Sequence, residues 1–284
     1  MLLLPLLLLT PQAYDPEIEA VMNRPKKEAQ RASTERPASA AAADGRIPVP
    51  EKYAAPFQAC LDEALESPDK AVAFAQKWRL EGGSFYARNC MGFAYARAER
   101  WAPAMVALEQ AADEAERSGE MAQSARLWAQ AGNAALAAGD AAKARSSFDA
   151  ALARGLPDGV EKGETYLDRA RALVALGEAE EARESLDVAI AQVPQDPLAW
   201  LLSATLARRS GELKLAQAHI ARAVQLSPDD ASVALEEGNI AVLTDHDDVA
   251  RSAWQRAVKL APQSEAGKAA ADNLSRLPAG APAR

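Results

Sequence analysis

A six-residue cassette returns three times at a fixed interval. "AIAQVP" begins at Ala189, "AVQLSP" at Ala223 and "AVKLAP" at Ala257, so alanine, a β-branched residue and a closing proline recur every 34 residues. A single globular core has no reason to repeat in this way, whereas a stack of like supersecondary units does. Other positions keep the same step: Ala170, Ala204 and Gly238; Ala182, Ala216 and Ala250; Leu186, Ile220 and Trp254. Two earlier copies fit after small insertions. One runs from Trp128 through Gly132, Gly139, Ala144, Phe148 and Ala151, the other through Gly92, Tyr95, Ala104, Leu108 and Ala111.

Each unit reads as two helices. In "LWAQAGNAALAAGDAAKARSSFDAALARG" apolar residues recur at spacings of three and four and stop at Gly139-Asp140. Glycine there ends one helix in the left-handed conformation, and aspartate caps the next. Gly177-Glu178 and Gly211-Glu212 mark the same turn, and Asp245 takes the left-handed place in the last copy. Pro194, Pro228 and Pro262 fall past each second helix and stop it. Small residues are expected where paired helices cross, with Phe148, Leu186, Ile220 and Trp254 filling the spaces between. Neither helix buries its face alone, so neighbouring units must stack. Alanine dominates a chain that is 49% hydrophobic and only 5% aromatic. Alternating strand-like runs are missing, so the expected class is all-α.

With Trp128 four residues before Gly132, then Ala144, Phe148, Ala151 and the spaced prolines, the chain resembles the tetratricopeptide repeat (TPR) family. The resemblance covers residues 51–264. It implies a right-handed superhelical solenoid of helix-turn-helix hairpins, with five regular repeats. The stretch from Tyr53 to Gly83, whose turn is about two residues short, reads as a degenerate N-terminal repeat. Residues 265–284 read as a C-terminal solvating helix and tail, which open-ended arrays need.

Ahead of the array, "MLLLPLLLLT" holds seven leucines and no charge. Ten residues are too few to span a bilayer but match the apolar core of a signal peptide, with a small residue for cleavage at Ala13. The expectation is a signal peptide over residues 1–13 and export to the periplasm or beyond. The alternative is a cytoplasmic adaptor, co-chaperone-like and keeping an uncleaved apolar N-terminus, since no basic residue precedes the leucines and Pro11 stands near the cleavage point. Residues 14–50 balance six acidic against six basic side chains with few large apolar ones, which reads as a flexible linker. No integral membrane span is expected.

Chemistry is sparse. His219 and His246 lie in different repeats without a third partner at metal spacing, so neither is expected to bind a metal or act as a base. No phosphate loop, serine elbow or carboxylate pair stands out, and no catalytic site and no cofactor are expected. A net charge of −8 argues against nucleic acid as a partner. Acidic runs such as "EAEEARE" read as solvated helix faces. Cys60 and Cys90, the only two cysteines, fall on first helices of adjacent hairpins, and a disulfide is expected between them if the chain is exported.

The resemblance also implies a protein or peptide ligand in a concave groove lined by the first helix of each pair. By register these positions are Asn89 and Phe93, Arg126 and Asn133, Leu167 and Arg171, then Leu201, Thr205 and Arg208, and finally Leu235 and Asn239. The three arginines would suit an acidic ligand, because guanidinium holds carboxylates in bidentate fashion. The leucines would seat apolar side chains of the ligand. The Lys/Asn pattern by which some chaperone-binding members clamp a C-terminal carboxylate is not reproduced, which speaks against that partner.

Overall fold

A computed structural model describes residues 49–277. The leucine run, nearly all of the linker and the last seven residues lie outside them. Among the described residues there are thirteen α-helices and no strand. They are α1 (Glu51–Glu66), α2 (Pro68–Leu80), α3 (Ser84–Arg97), α4 (Trp101–Arg117), α5 (Met121–Ala137), α6 (Ala141–Ala153) and α7 (Val160–Leu176). After them come α8 (Ala179–Gln192), α9 (Pro197–Arg209), α10 (Leu213–Leu226), α11 (Ala231–Leu243), α12 (Asp247–Leu260) and α13 (Glu265–Arg276). The described chain divides into two compact units at Ala199–Trp200, near the start of α9.

The turns follow the sequence signals. Gly177 ends α7 at φ 78°, and Asp245 takes φ 59° between α11 and α12. Asp140 caps α6 by accepting from the Lys143 amide at 3.1 Å. Glu178 and Glu212 precede α8 and α10 without a side-chain cap, because their longer carboxylates do not fold back onto the first turn. Pro194, Pro228 and Pro262 stand just beyond α8, α10 and α12, as expected.

In the unit of residues 49–199 each helix packs on the next in sequence, and α1 also packs on α3. The first hairpin has a turn of one residue, Ser67, with Pro68 opening α2. Its two helices meet through the buried Ala64 and Ala71 and through Tyr53, which is edge-on to Trp78, while Tyr53 and Phe57 also meet Tyr86 of α3 with ring centroids 4.9 and 5.6 Å apart. Burial, with lesser contributions from Glu120 and Tyr53, raises the Tyr86 phenol above its ordinary pKa. Cys60 of α1 and Cys90 of α3 are disulfide-bonded, with Cα atoms 6.2 Å apart, in a pocket shared with Ala75, Phe57, Leu61 and Met91. One insertion that breaks the strict period is the loop between α6 and α7. It tucks Leu156 against Ala125 and Ala151, and the Gly159 amide donates to Gln192 at 2.6 Å.

In the unit of residues 200–277, α10 packs on α11, α11 on α12, and α13 on both α11 and α12. Ser264 caps α13 by accepting from the Gly267 amide at 3.1 Å. The inner face of α13 is Ala266, Gly267 and Ala270, while Lys268, Ala271, Asp272 and Ser275 are exposed. A helix with so polar an outer face solvates the end of the array.

Where paired helices cross, glycine faces a large ring or branched side chain. A methyl on Gly92 would overlap Leu108, one on Gly132 would overlap the Phe148 ring, and one on Gly238 would overlap the Trp254 indole. These pairs set how closely the two helices of a hairpin approach.

Candidate protein-interaction surface

The first helices carry the positions expected to line a groove, and the structure divides those positions into three kinds. In the unit of residues 49–199, Asn89 and Phe93 lie one turn apart on α3 and are partly exposed, while Asn133 on α5 is exposed. No hydrogen bond among the described residues engages the Asn89 or Asn133 amide. These three remain available to a ligand.

A second group is buried. Leu167 is 3% exposed, Leu201 0%, Thr205 6%, Leu235 1% and Asn239 5%. The expectation that these leucines seat ligand side chains is corrected: their apolar surface is already spent on packing. The Thr205 hydroxyl donates to the Leu201 carbonyl of its own helix at 3.0 Å, so it too faces inward.

The third group is the arginines. Arg126 makes two parallel hydrogen bonds to Glu161 at 2.8 and 2.9 Å, a bidentate pair from α5 to α7. Arg171 donates to Asp168 at 3.0 Å, and Asp168 is 3% exposed. Arg208 donates to Glu236 at 2.7 Å, and Glu236 is 2% exposed. Each guanidinium therefore already holds a carboxylate of its own chain. Charge-assisted pairs of this kind recur on both helices of the hairpins. Arg88 joins Glu114, Arg154 joins Glu116, Arg145 joins Glu178, and Arg169 joins Asp149. The Glu178 hydrogen bond is the main reason the Arg145 guanidinium holds its proton more tightly than usual.

Asn239 is the centre of a buried polar network that sequence reading missed. Its Oδ1 accepts from Trp254 Nε1 and from Asn273 Nδ2, both at 3.0 Å, and its Nδ2 donates to Glu236 at 3.4 Å. Glu236 in turn takes Arg208, so one chain of contacts runs from α9 through α11 to α13. A signal was present: Asn239 and Asn273 are 34 residues apart, the repeat interval. A buried amide held by three hydrogen bonds fixes the register of the terminal helix.

The histidines sit apart. His219 Nδ1 lies 2.8 Å from the Ser203 hydroxyl with its ring edge-on to Trp200, and His246 is exposed in the turn before α12, beside Thr244. Among the described residues no group of three or more His, Cys, Asp or Glu is placed to hold a metal. No helix among them is long and apolar enough to cross a membrane.

Two-helix units joined by left-handed turns, with small residues opposing large ones at each crossing, define a known repeat, and a tetratricopeptide-repeat family model matches residues 135–206. These are tetratricopeptide repeats. Among solved structures, PilF of Pseudomonas aeruginosa is 16% identical, with a TM-score of 0.64 over 78% of this chain and 98% of that one. PilW, described as a widely conserved type IV pilus biogenesis factor, is 17% identical, with a TM-score of 0.62 over 78% and 98%. YrrB, described as a TPR protein with an unusual peptide-binding site, is 17% identical, with a TM-score of 0.52 over 66% and 91%. At these identities the likeness is one of fold. No curated protein sequence matches the chain.

Proposed function

We propose that this chain is a non-enzymatic, exported scaffold that binds a protein or peptide partner on the first-helix face of its tetratricopeptide repeats. The observation that carries the reading is the accessible set Asn89, Phe93 and Asn133. In first helices whose arginines are paired and whose leucines are packed, the Asn89 and Asn133 amides are left without an internal hydrogen bond, and Phe93 packs on Ala64, Ala71 and Ala94 while keeping part of its ring exposed. An amide side chain both donates and accepts, so it can read the backbone of an extended peptide regardless of sequence. Phe93 adds an apolar anchor of the sort that concentrates binding energy. YrrB, whose fold is similar, is described as having a peptide-binding site, which supports the same use here. Export is supported by the leucine-rich start and by the Cys60–Cys90 disulfide, a bond that persists in oxidising compartments.

The test uses a photo-crosslinking amino acid at Asn133 in cells, with Ser146, exposed on α6, as the control position. A partner identified from position 133 and missing from 146 is then measured in vitro. Phe93→Ala and Asn133→Ala should each weaken it by about tenfold or more, the cost of a truncated hot-spot contact. Partners crosslinking equally from 146, or affinities unchanged by both substitutions, would remove the first-helix face from the mechanism.

A further inference from the structure

The unit of residues 200–277 has a groove that the proposed binding face does not use. Its volume is about 210 Å³, and its floor and walls are Ile220 and Ala221 of α10, Ile240 and Ala241 of α11, and Val249 of α12. Two of the polar groups at its margin, Thr244 and Glu237, are satisfied internally. Thr244 donates to the Ile240 and Ala241 carbonyls, and Glu237 holds Arg256. Ile220, Ile240 and Ala241 form its buried floor, and the apolar surface it offers a ligand is that of Ala221 and Val249, the latter 40% exposed. Beside it the turn "TDHDD" places Asp245, Asp247 and Asp248, all exposed, and no ion pair among the described residues engages them. Asp248 lines the adjoining cleft together with Val249. A segment that fits must carry aliphatic side chains followed closely by positive charge.

One segment of this chain has that composition. In "IEAVMNRPKK", residues 18–27, Ile18, Val21 and Met22 fall at the three-and-four spacing of one helix face, and Arg24, Lys26 and Lys27 follow at once. It lies outside the described residues. We propose that Ile18–Lys27 docks intramolecularly, seating its apolar side chains on Ala221 and Val249 and its basic residues beside Asp245, Asp247 and Asp248. The connection from Lys27 to Val49 extends to about 70 Å. Cleavage after Ala13 would leave the segment in place near the mature N-terminus. The docked segment would tether the N-terminal end of the chain to its last repeats, independently of any partner on the first-helix face.

The test places a photo-crosslinking amino acid at Gln217, an exposed residue on the groove's rim, in the full chain, with Ser146 as the control. Illumination of purified protein should join position 217 to a peptide containing residues 18–27. In a mixture of heavy and light isotopic chains, every such pair should be heavy–heavy or light–light. Ile18→Asp with Val21→Asp leaves the repeats untouched and should abolish the product. Asp245→Lys, Asp247→Lys and Asp248→Lys together should lower the yield by roughly tenfold, as expected for three exposed pairs. Adding Arg24→Glu, Lys26→Glu and Lys27→Glu should restore it. Mixed-isotope pairs would mean that the occupant is a second copy and would overturn the intramolecular assignment. So would crosslinks that avoid residues 18–27, or a yield indifferent to both sets of substitutions.

Discussion

Gly238→Ala tests the crossing rule at its tightest point. On an exposed helix the change would stabilise by about 1 kcal/mol, because alanine is the better helix former. Here the added methyl would enter the Trp254 indole. The ring cannot yield freely, since its Nε1 donates to the Leu235 carbonyl at 3.2 Å and to Asn239 at 3.0 Å, and the side chain is 4% exposed. Overpacking costs about 1–3 kcal/mol, and disturbing buried hydrogen bonds adds roughly 1 kcal/mol. Set against the propensity gain, the net loss is about 2 kcal/mol. Chemical denaturation followed by far-UV circular dichroism measures it, and Trp254 fluorescence reports the local packing. The other repeats provide the compensating partner. Ala204 pairs with Ile220 at the same separation of sixteen residues that joins Gly238 to Trp254. Trp254→Ile alone should open a cavity and destabilise, whereas Gly238→Ala with Trp254→Ile should lose about 1–2 kcal/mol less than the sum of the single changes. Additive effects, or a Gly238→Ala protein as stable as the parent, would refute the size-matching account.

Three further outcomes follow from the same structure. Protein made in an oxidising compartment should show a Cys60–Cys90 bond by non-reducing mass spectrometry, and Cys60→Ser with Cys90→Ser should cost about 2–4 kcal/mol in denaturant; two free thiols in exported protein would contradict this. Arg208→Ala removes the cation paired with the buried Glu236 carboxylate and should destabilise by about 3–5 kcal/mol, while Arg208→Ala with Glu236→Gln should recover part of that loss in the same assay. Burial, more than the neighbouring Asp113 and Asp140 charges, raises the Glu109 pKa, against an opposing pull from Lys143. The folded protein then holds this proton more tightly than the unfolded chain, so Glu109 costs stability as pH rises through the carboxylate range, and the cost persists above it. Glu109→Gln should therefore gain stability over the parent at pH 7 relative to pH 4, read from paired urea titrations.

The helices and their turns were legible because each signal is local. A glycine or aspartate that must take positive φ, a proline that cannot continue a helix and a 34-residue step all act within a few residues of where they stand. The disulfide was legible for a related reason: register alone puts Cys60 and Cys90 on neighbouring first helices. The groove was legible only in part. Register says that Leu167, Leu201 and Leu235 are equivalent, but not whether another element covers them, and burial depends on that covering. Asn89, Phe93 and Asn133 occupy similar register positions and stay accessible.

The arginines are paired internally for a reason that extends to any acidic solenoid. With 40 acidic against 32 basic side chains, a guanidinium placed between stacked hairpins meets a carboxylate of its own chain before it meets a ligand. Arg126 finds Glu161 at a separation of 35 residues, and Arg145 finds Glu178 at 33, each close to one repeat away. A search for opposite charges one repeat apart would have exposed both pairs. Desolvation then decides their worth. With side chains 15% and 2% exposed, Arg208 and Glu236 are costly to separate, whereas the more exposed Arg145 and Glu178 add little. Arg208→Ala should therefore act first on folding, and any loss of partner binding that it causes should vanish once the comparison is made at equal folded fraction. Loss of binding from Asn133→Ala should survive that correction, because an exposed amide with no internal partner contributes nothing to stability that its removal could take away.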